Sequence, residues 1–572
     1  MTTCAPSTAT RPESTSSSAD DRSGRALLAW TALVLALGLG LPLFLCMPPP
    51  FDACHYDLCA RKLLHGGILY RDAFDNNLPG IIWMHTAIRG VFGWRAETLR
   101  LADFSFMALV VLLLLRWLPA PEGRFTPARV GTAAALAFFY LFSMELGHCQ
   151  RDGWMLLPAT VALCLRNRQL CAIAAKAASA TVFGWAVLEG LCWGAAFWIK
   201  PFVAVPALAC WLVGAFSVRR GRGVTLLDSG GVLAGGLLAG GLGLTWLAAS
   251  GAWHSFWDVF LAWNRDYAAF TYGQYPRGGM LRLSAIFYFP WHLVQVPAVL
   301  IALAAIARAV RGRGTAGPMP VSRALLSAFY LGWLVQAAFI QRSHIYVMMT
   351  TIFPAVVVVA GALQTKWKSF LARASLLAYV LLTIIVTPGL RPDRVVLWRR
   401  CWREGSTPQL RDRLALNPWK GWAGAADWQD LARVADFLRD EGVADRELIC
   451  LSGCTHPLYL ELDLEPPTRF HQIGATIIHF PAHAEKVRAE LEASRSRYVV
   501  TDLAANILTY QHALEEAPGN PLALPPRFPP DLLRTYPWCG TLVFRSGRYV
   551  VHRISDSMSA APITIIIPAK PQ

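Results

Sequence analysis

Apolar residues along this chain gather in long blocks, not in the strict alternation of half-buried strands or the single stripe of a soluble amphipathic helix. The blocks cover 26–46, 99–118, 130–147, 152–166, 178–199, 201–218, 228–249, 284–307, 324–341, 345–363 and 371–389. A helix needs about 20 apolar residues to cross roughly 30 Å of hydrocarbon. The pattern therefore predicts a polytopic α-helical membrane protein with about eleven transmembrane helices. The block at 152–166 is short, which predicts a tilted span or one covered by its neighbours. The first block is longer than a signal-peptide core and no small-residue cleavage site follows it, so it is expected to stay as an anchor.

Between and beyond the blocks the pattern changes. Residues 1–23, rich in Ser, Thr and Asp, predict a disordered cytoplasmic tail, which leaves 24–390 as the transmembrane domain. A long first loop at 47–98 opens with Pro48-Pro49-Pro50, which ends the first helix. It is expected to hold an interfacial helix over 53–64, with Lys62 and His65 toward water and Asp57 on a solvated face. A second amphipathic helix over 81–92 would place Ile81, Met84, Ile88, Val91 and Phe92 on one side. Arg and Trp dominate 391–425, the pattern of an interfacial linker. From 426 to 557 the periodicity is mixed: helical over 427–441 and 482–493, strand-like at 447–451 and 497–501, and a hairpin across 541–553. That mixture predicts a small C-terminal α/β domain, followed by a loose tail at 558–572.

Composition agrees with a membrane class. Hydrophobic residues make up 55% and charged residues 16%, against roughly 25% charged in a soluble domain. The net charge of +16 raises the question of a nucleic-acid partner. The basic residues answer it, because they fall in alternate short loops: Arg116, Arg124 and Arg129; Arg166, Arg168 and Lys176; Arg219, Arg220 and Arg222; Arg308, Arg311, Arg313 and Arg323; Lys366, Lys368 and Arg373. This is the positive-inside pattern and involves no nucleic acid. It places the N-terminus in the cytoplasm. The first loop, an aromatic loop at 250–283 and the C-terminal domain then lie on the extracytoplasmic side of a bacterial inner membrane. The thirteen cysteines show no metal-ligand spacing along the sequence. Cys54 and Cys59, five apart on a helix, have poor geometry for a disulfide and are expected to be free thiols.

Candidate chemistry clusters on that predicted outer side. Asp52 follows the proline run at the hydrocarbon edge, where a carboxylate can act on a polar group attached to a lipid; alternatively it caps the helix that begins at Ala53. Asp152, in the turn Gln150-Arg151-Asp152, could position an acceptor, hold a divalent ion, pair with Arg151, or simply favour the helix dipole. Lys200 before Pro201 suits a phosphate, or snorkels from a helix end. Arg342, His344 and Tyr346 share another turn, where Arg342 can fork onto phosphate and His344 can donate a hydrogen bond, or all can meet headgroups. The aromatic loop, from Trp253 to Tyr275, reads as a belt anchor or as one wall of a lipid groove.

The run FDACHYDLCARKLLHGGILYRDAFDNNLPGIIWMHTAIRGVFG resembles the first periplasmic loop of polytopic GT-C glycosyltransferases, the enzymes related to protein O-mannosyltransferases and lipid A aminoarabinose transferase. Short motifs continue the resemblance over most of 26–475: QRDGWMLLPATVALCL, GLCWGAAFWIKPFVAVPAL, QRSHIYVMMTTIFPAVVV and HPLYLELDLEPPTRF. The resemblance implies transfer of a sugar from a polyprenyl-phosphate carrier to a lipid, protein or polysaccharide acceptor. It implies Asp52 as general base, Asp152 as a second acid, and a substrate site that draws on Arg71, Asp75, Arg151, Lys200, Arg342, His344 and Tyr346. The residues demand no cofactor; a divalent cation stays open because related enzymes differ. Many relatives carry Lys-Pro-Pro after the Tyr-Arg-Asp segment, where this chain reads Asn77-Leu78-Pro79. Arg71, Lys200 or Arg342 must then replace that Lys, or the donor is held differently.

Two other classes compete. A transporter or flippase of lipid-linked substrates would carry ionisable groups at mid-membrane within repeated halves. The spans look almost free of charge, with Glu189 the strong exception, and no repeat is visible. A non-catalytic envelope assembly protein would use the C-terminal domain to bind a partner, but it leaves the gathering of Asp52, Asp152, Lys200 and Arg342 without a reason.

Overall fold

The computed structural model describes residues 17–119, 125–217, 221–274, 289–312, 318–341, 345–366, 370–417, 426–494, 496–506 and 534–554. The expectations for the first residues of the tail, for Arg342 and His344, for Tyr275 and for the segment after 557 lie outside these residues.

The apolar blocks fold as helices: α1 (Ser17–Cys46), then, after two loop helices described below, α4 (Ala96–Leu114), α5 (Pro127–Leu141), α6 (Arg151–Ala174), α7 (Ser179–Ile199), α8 (Ala204–Ser217) and α9 (Arg222–Ala249), with further helices Gln295–Arg311, Pro318–Val335, Ile352–Lys366 and Phe370–Val386. Seven stretches among the described residues are long and apolar enough to cross a membrane, from Ser23–Cys46 to Tyr346–Leu363. The chain is an integral membrane protein. Its short blocks differ for a local reason: α6 carries Arg166 and Gln169 inward, so it is a long helix with a short apolar stretch.

Residues of the glycine-rich α9 recur every fourth position on its buried side: Gly231, Gly235, Ala239 and Gly243. A Cβ on Gly235 would sit 2.0 Å from the Val187 carbonyl oxygen, and one on Gly190 2.1 Å from that of Val232. Small residues at this spacing let α7 and α9 approach backbone to backbone, which supplies the packing that a lipid environment rewards.

The spans are not as free of charge as their composition suggests. Buried Arg166 donates to Glu189 at 3.0 Å and to Asp228 at 2.7 Å, and Gln169 and Trp193 complete the network. Asp103 on α4 is also buried and accepts from the Tyr140 hydroxyl and the Trp154 indole. Each charge is masked in sequence because its partner lies on another helix.

The first loop folds as α2 (Phe51–Leu64) and α3 (Gly80–Phe92). Contrary to the sequence expectation of an exposed surface helix, α2 is enclosed by protein. Nine of its residues are buried, Asp57 among them. Asp57 is no solvated acid: it accepts from His85 at 2.8 Å and from Arg89 at 2.9 Å. The inward side of α3 is correspondingly Ile81, Ile82, His85, Ile88 and Arg89, whereas Val91 and Phe92 are exposed. Polar residues point inward here because α2 is covered from above by the C-terminal lobe. Arg61 donates to the carbonyl oxygens of Tyr459 (2.9 Å) and Leu464, and Lys62 pairs with Glu465.

That lobe is a four-stranded sheet of order β1-β2-β4-β3, with β1 (Leu448–Cys450) parallel to β2 (Tyr498–Asp502) and β3 (Thr541–Ser546) and β4 (Tyr549–Arg553) forming an antiparallel hairpin. Both faces are covered. Leu448, Cys450, Tyr498 and Val500 meet helix Trp428–Asp440, while Ile449, Leu451 and Val499 pack with Phe470, Phe480 and the helices Ile473–His479 and Ala484–Glu492. The segment between bundle and lobe is docked more tightly than an interfacial linker would be. Leu397, Cys401, Leu410 and Leu414 enter the bundle core, and the Trp398 indole donates to the Gly38 carbonyl at 2.7 Å.

Candidate active site

The ends of α6 and α7, the start of α2 and the loop before α3 meet beneath the C-terminal lobe. A tight turn makes this meeting possible. Cys149 takes φ of 54°, the left-handed region that L side chains seldom occupy, and α6 starts two residues later at Arg151. At the other wall, Gly80 lies so close to the end of α7 that an added Cβ would sit 2.5 Å from the Trp198 carbonyl oxygen. Lys200 caps α7 immediately afterwards.

Asp152 is fully buried and paired with Lys200, whose Nζ donates to Oδ1 at 3.0 Å and to Oδ2 at 2.7 Å. Gln341 adds a third bond to Oδ1 at 3.3 Å. The Lys200 ammonium, and not the Arg151 guanidinium, is the hydrogen-bonded cation on this carboxylate. Burial lowers the Lys200 pKa to about 8, although Asp152 opposes the shift.

Asp52 is half-buried at the first turn of α2, whose N-cap is Pro50 with no side-chain cap bond. The capping alternative for Asp52 is thus not what the structure shows. The carboxylate accepts from the Gln150 amide at 3.3 Å. Burial raises its pKa to about 6, while Arg151 and the Gln150 bond hold it down and Asp75 pushes it further up. A carboxylate tuned to this range is suited to accept a proton at neutral pH.

Arg151 stands within electrostatic reach of Asp52, Asp75, Asp152 and Tyr346. Among the described residues its guanidinium makes no hydrogen bond to protein, and the residue is only half-buried. Its donors are available to a planar or tetrahedral anion. Asp75 is buried on the other flank; it accepts from the Asn77 amide at 3.2 Å and side chain at 2.6 Å, and its Oδ2 has no partner among the described residues. Burial raises its pKa. Tyr346 lies within reach of Asp52, Asp152 and Arg151.

The structure thus brings Asp52, Asp75, Arg151, Asp152, Lys200 and Tyr346 together. It does not bring Arg71, which is exposed and paired with Asp72 at 2.8 Å. Arg342 and His344 lie outside the described residues. Gln150, Gln341 and His55 join the site without having been singled out. Gln150 and Gln341 each precede an arginine, and a neutral amide carries no charge signal. The aromatic loop contributes differently from a belt anchor: Phe256 and Trp263 are buried, and Trp263 stacks among Phe74, Phe470, Phe480 and His483, while Phe260 and Leu261 stay exposed.

The crystal structure of ArnT from Cupriavidus metallidurans bound to undecaprenyl phosphate superposes with a TM-score of 0.52 at 15% identity, covering 94% of this chain and 99% of that one. The chain shares the ArnT fold. The apo form of ArnT matches equally, at a TM-score of 0.52 and 14% identity. The apo oligosaccharyltransferase of Archaeoglobus fulgidus gives a TM-score of 0.46 at 11% identity, covering 84% of this chain and 70% of that one. No protein-family model and no curated protein sequence matches the chain. The resemblance seen in short motifs therefore holds at the level of the ArnT architecture, a helical membrane bundle carrying a small C-terminal lobe.

Proposed function

We propose that this protein is a membrane glycosyltransferase that moves a sugar from a polyprenyl-phosphate carrier to a hydroxyl acceptor on the extracytoplasmic face of a bacterial inner membrane. The observation that carries the reading is Arg151, a guanidinium without a protein hydrogen-bond partner among the described residues, next to the half-buried carboxylate of Asp52. A cation with unused N–H donors within electrostatic reach of a tuned base is what phosphate departure and hydroxyl attack require. The ArnT fold supports the same reading, since that protein was crystallised with undecaprenyl phosphate.

In the proposed reaction the acceptor oxygen bonds to the anomeric carbon and the carbon–oxygen bond to the lipid phosphate breaks. Asp52 takes the acceptor proton. The polyprenyl phosphate leaves with its electron pair, and its charge is met by Arg151, with Arg342 and the remaining Lys200 N–H as further donors. Asp152 holds Lys200 in place, Tyr346 and Asp75 shape the sugar pocket, and His344 supplies a hydrogen bond. The choice of sugar and of lipid, protein or polysaccharide acceptor follows from an assay. Purified protein is incubated with a panel of polyprenyl-phosphate sugars and carrier consumption is followed. Asp52→Asn, correctly folded, is expected to lose turnover by about 10²-fold or more; unchanged turnover would reject Asp52 as the base.

A second reading, translocation of lipid-linked substrates, draws on the buried Arg166, Glu189 and Asp228 in the bundle. Carrier crossing proteoliposomes without sugar loss would favour it.

A further inference from the structure

Overlapping the proposed active site at His55 and Asp75 lies a cluster of a different chemical kind. His55 and Cys59 stand one turn apart on α2, with Cys59 Sγ 3.8 Å from His55 Nε2. The C-terminal lobe brings His471 against them, its ring 5.6 Å from that of His55 and inclined by 64°. Donor atoms of the three side chains all fall within 4.8 Å of one another, and all three residues are buried. Asp75 Oδ1 is 3.9 Å from His55 Nε2. Three buried atoms here have no hydrogen-bond partner among the described residues: Nδ1 of His55, Nδ1 of His471 and Oδ2 of Asp75. Leaving such groups unmet in a buried site is costly.

We propose that His55, Cys59 and His471 form a transition-metal site of the zinc class, with Asp75 as the fourth donor, that fastens the C-terminal lobe to α2. Donors of a tetrahedral zinc site stand about 3.3–3.8 Å apart, given metal–ligand distances of about 2.0–2.3 Å. The Cys59–His55 separation of 3.8 Å already meets this, and the three ligand atoms lie within 4.8 Å of one another. Two neutral imidazoles, one thiolate and one carboxylate around a dication give zero net charge, which a buried site favours. On binding, the Cys59 thiol proton passes to solvent. No spacing along the sequence reveals the set, because His471 belongs to the lobe and Asp75 to the loop. The site stands one turn beyond Asp52 on the same helix, so the metal would also fix the base.

The test uses full-length protein in detergent, stripped with chelator and titrated with Co(II) alone. One equivalent is expected to bind with tetrahedral visible bands and a thiolate charge-transfer band, and Zn(II) is expected to displace it. Cys59→Ser should abolish the charge-transfer band and weaken binding by about 10²-fold or more. His471→Cys, which keeps a soft ligand, should retain tetrahedral binding, whereas His471→Ala should not. Cys450→Ser, at a buried thiol outside the cluster, should leave the spectrum unchanged. Elution volume and unfolding temperature confirm that each variant folds. Absence of stoichiometric Co(II) binding, or an unaltered spectrum in Cys59→Ser, would overturn the proposal. Asp52→Asn is expected to bind Co(II) normally whether or not it transfers sugar, so failure of metal binding and failure of the proposed reaction are read separately.

Discussion

Lys200 meets Asp152 with both carboxylate oxygens engaged, at 3.0 and 2.7 Å, and both side chains are buried. Neutralising one partner leaves the other charge buried and unpaired, at a cost of about 3–5 kcal/mol. Lys200→Met and Asp152→Asn are each expected to lower the unfolding temperature in detergent and to abolish transfer. The double variant separates structure from function. It should recover most of the stability, because no unpaired charge remains, yet stay inactive. Recovery of transfer in the double variant would reduce the pair to a structural role.

The pH dependence follows from the same site. Asp52 serves as a base only when deprotonated, and burial raises its pKa to about 6, so kcat/KM is expected to rise with pH through about 6. Lys200 is charged below its lowered pKa of about 8, so the positive charge is lost and kcat/KM falls as pH passes 8. A bell with limbs near 6 and 8 is the expected profile. Lys200→Arg, if it folds, keeps its charge at high pH and should remove the falling limb. Gln150→Leu removes a bond that holds the Asp52 pKa down and should move the rising limb upward. Limbs indifferent to both substitutions would assign the titrations elsewhere.

Much of this architecture is legible in the sequence because the physics is local. Apolar block length marks the helices, and the strands at 448–450 and 498–502 fall where the apolar runs at 447–451 and 497–501 predict them. Asp52, Arg151, Asp152 and Lys200 were visible because each is a charged residue at the end of an apolar block. What the sequence hides is covering. Asp57 reads as solvated until the lobe is seen closing over α2 and Arg89 is seen reaching back to it. Arg71 reads as a substitute cation until its bond to Asp72 is seen. Glu189 looked isolated, since its partner Arg166 stood among basic residues assigned to a loop and Asp228 at the very edge of a block.

Arg61 is the clearest polar tie between α2 and the lobe, donating to the carbonyl oxygens of Tyr459 and Leu464 and to Asp463 at 3.2 Å. Arg61→Ala removes these charge-assisted bonds, each worth about 1.5–3 kcal/mol, and leaves buried carbonyls unmet. The expected result is faster protease cleavage in the 391–425 segment with the bundle intact. The KM for the acceptor should rise if the lobe helps to hold it. Unchanged cleavage kinetics would mean that apolar packing at Leu58 and Tyr459 holds the lobe without help.

Arg166 decides between the enzyme and its transporter rival. It is fully buried between Glu189 and Asp228, and these three side chains carry one positive and two negative groups. In a transporter such a cluster would change partners during the cycle, and its neutralisation would stop transport. In a glycosyltransferase whose chemistry sits at the ends of α6 and α7, the cluster has only to hold α6, α7 and α9 together. Arg166→Leu alone is therefore expected to cost about 3–5 kcal/mol and reduce folded yield, because two carboxylates lose their counter-charge. Combining Arg166→Leu with Glu189→Gln and Asp228→Asn removes all three charges at once. That triple variant is expected to regain folded yield and to keep sugar transfer within a few-fold of the parent. Complete loss of transfer in a well-folded triple variant would show that the charges take part in the working cycle, and the transporter reading would then gain the stronger case.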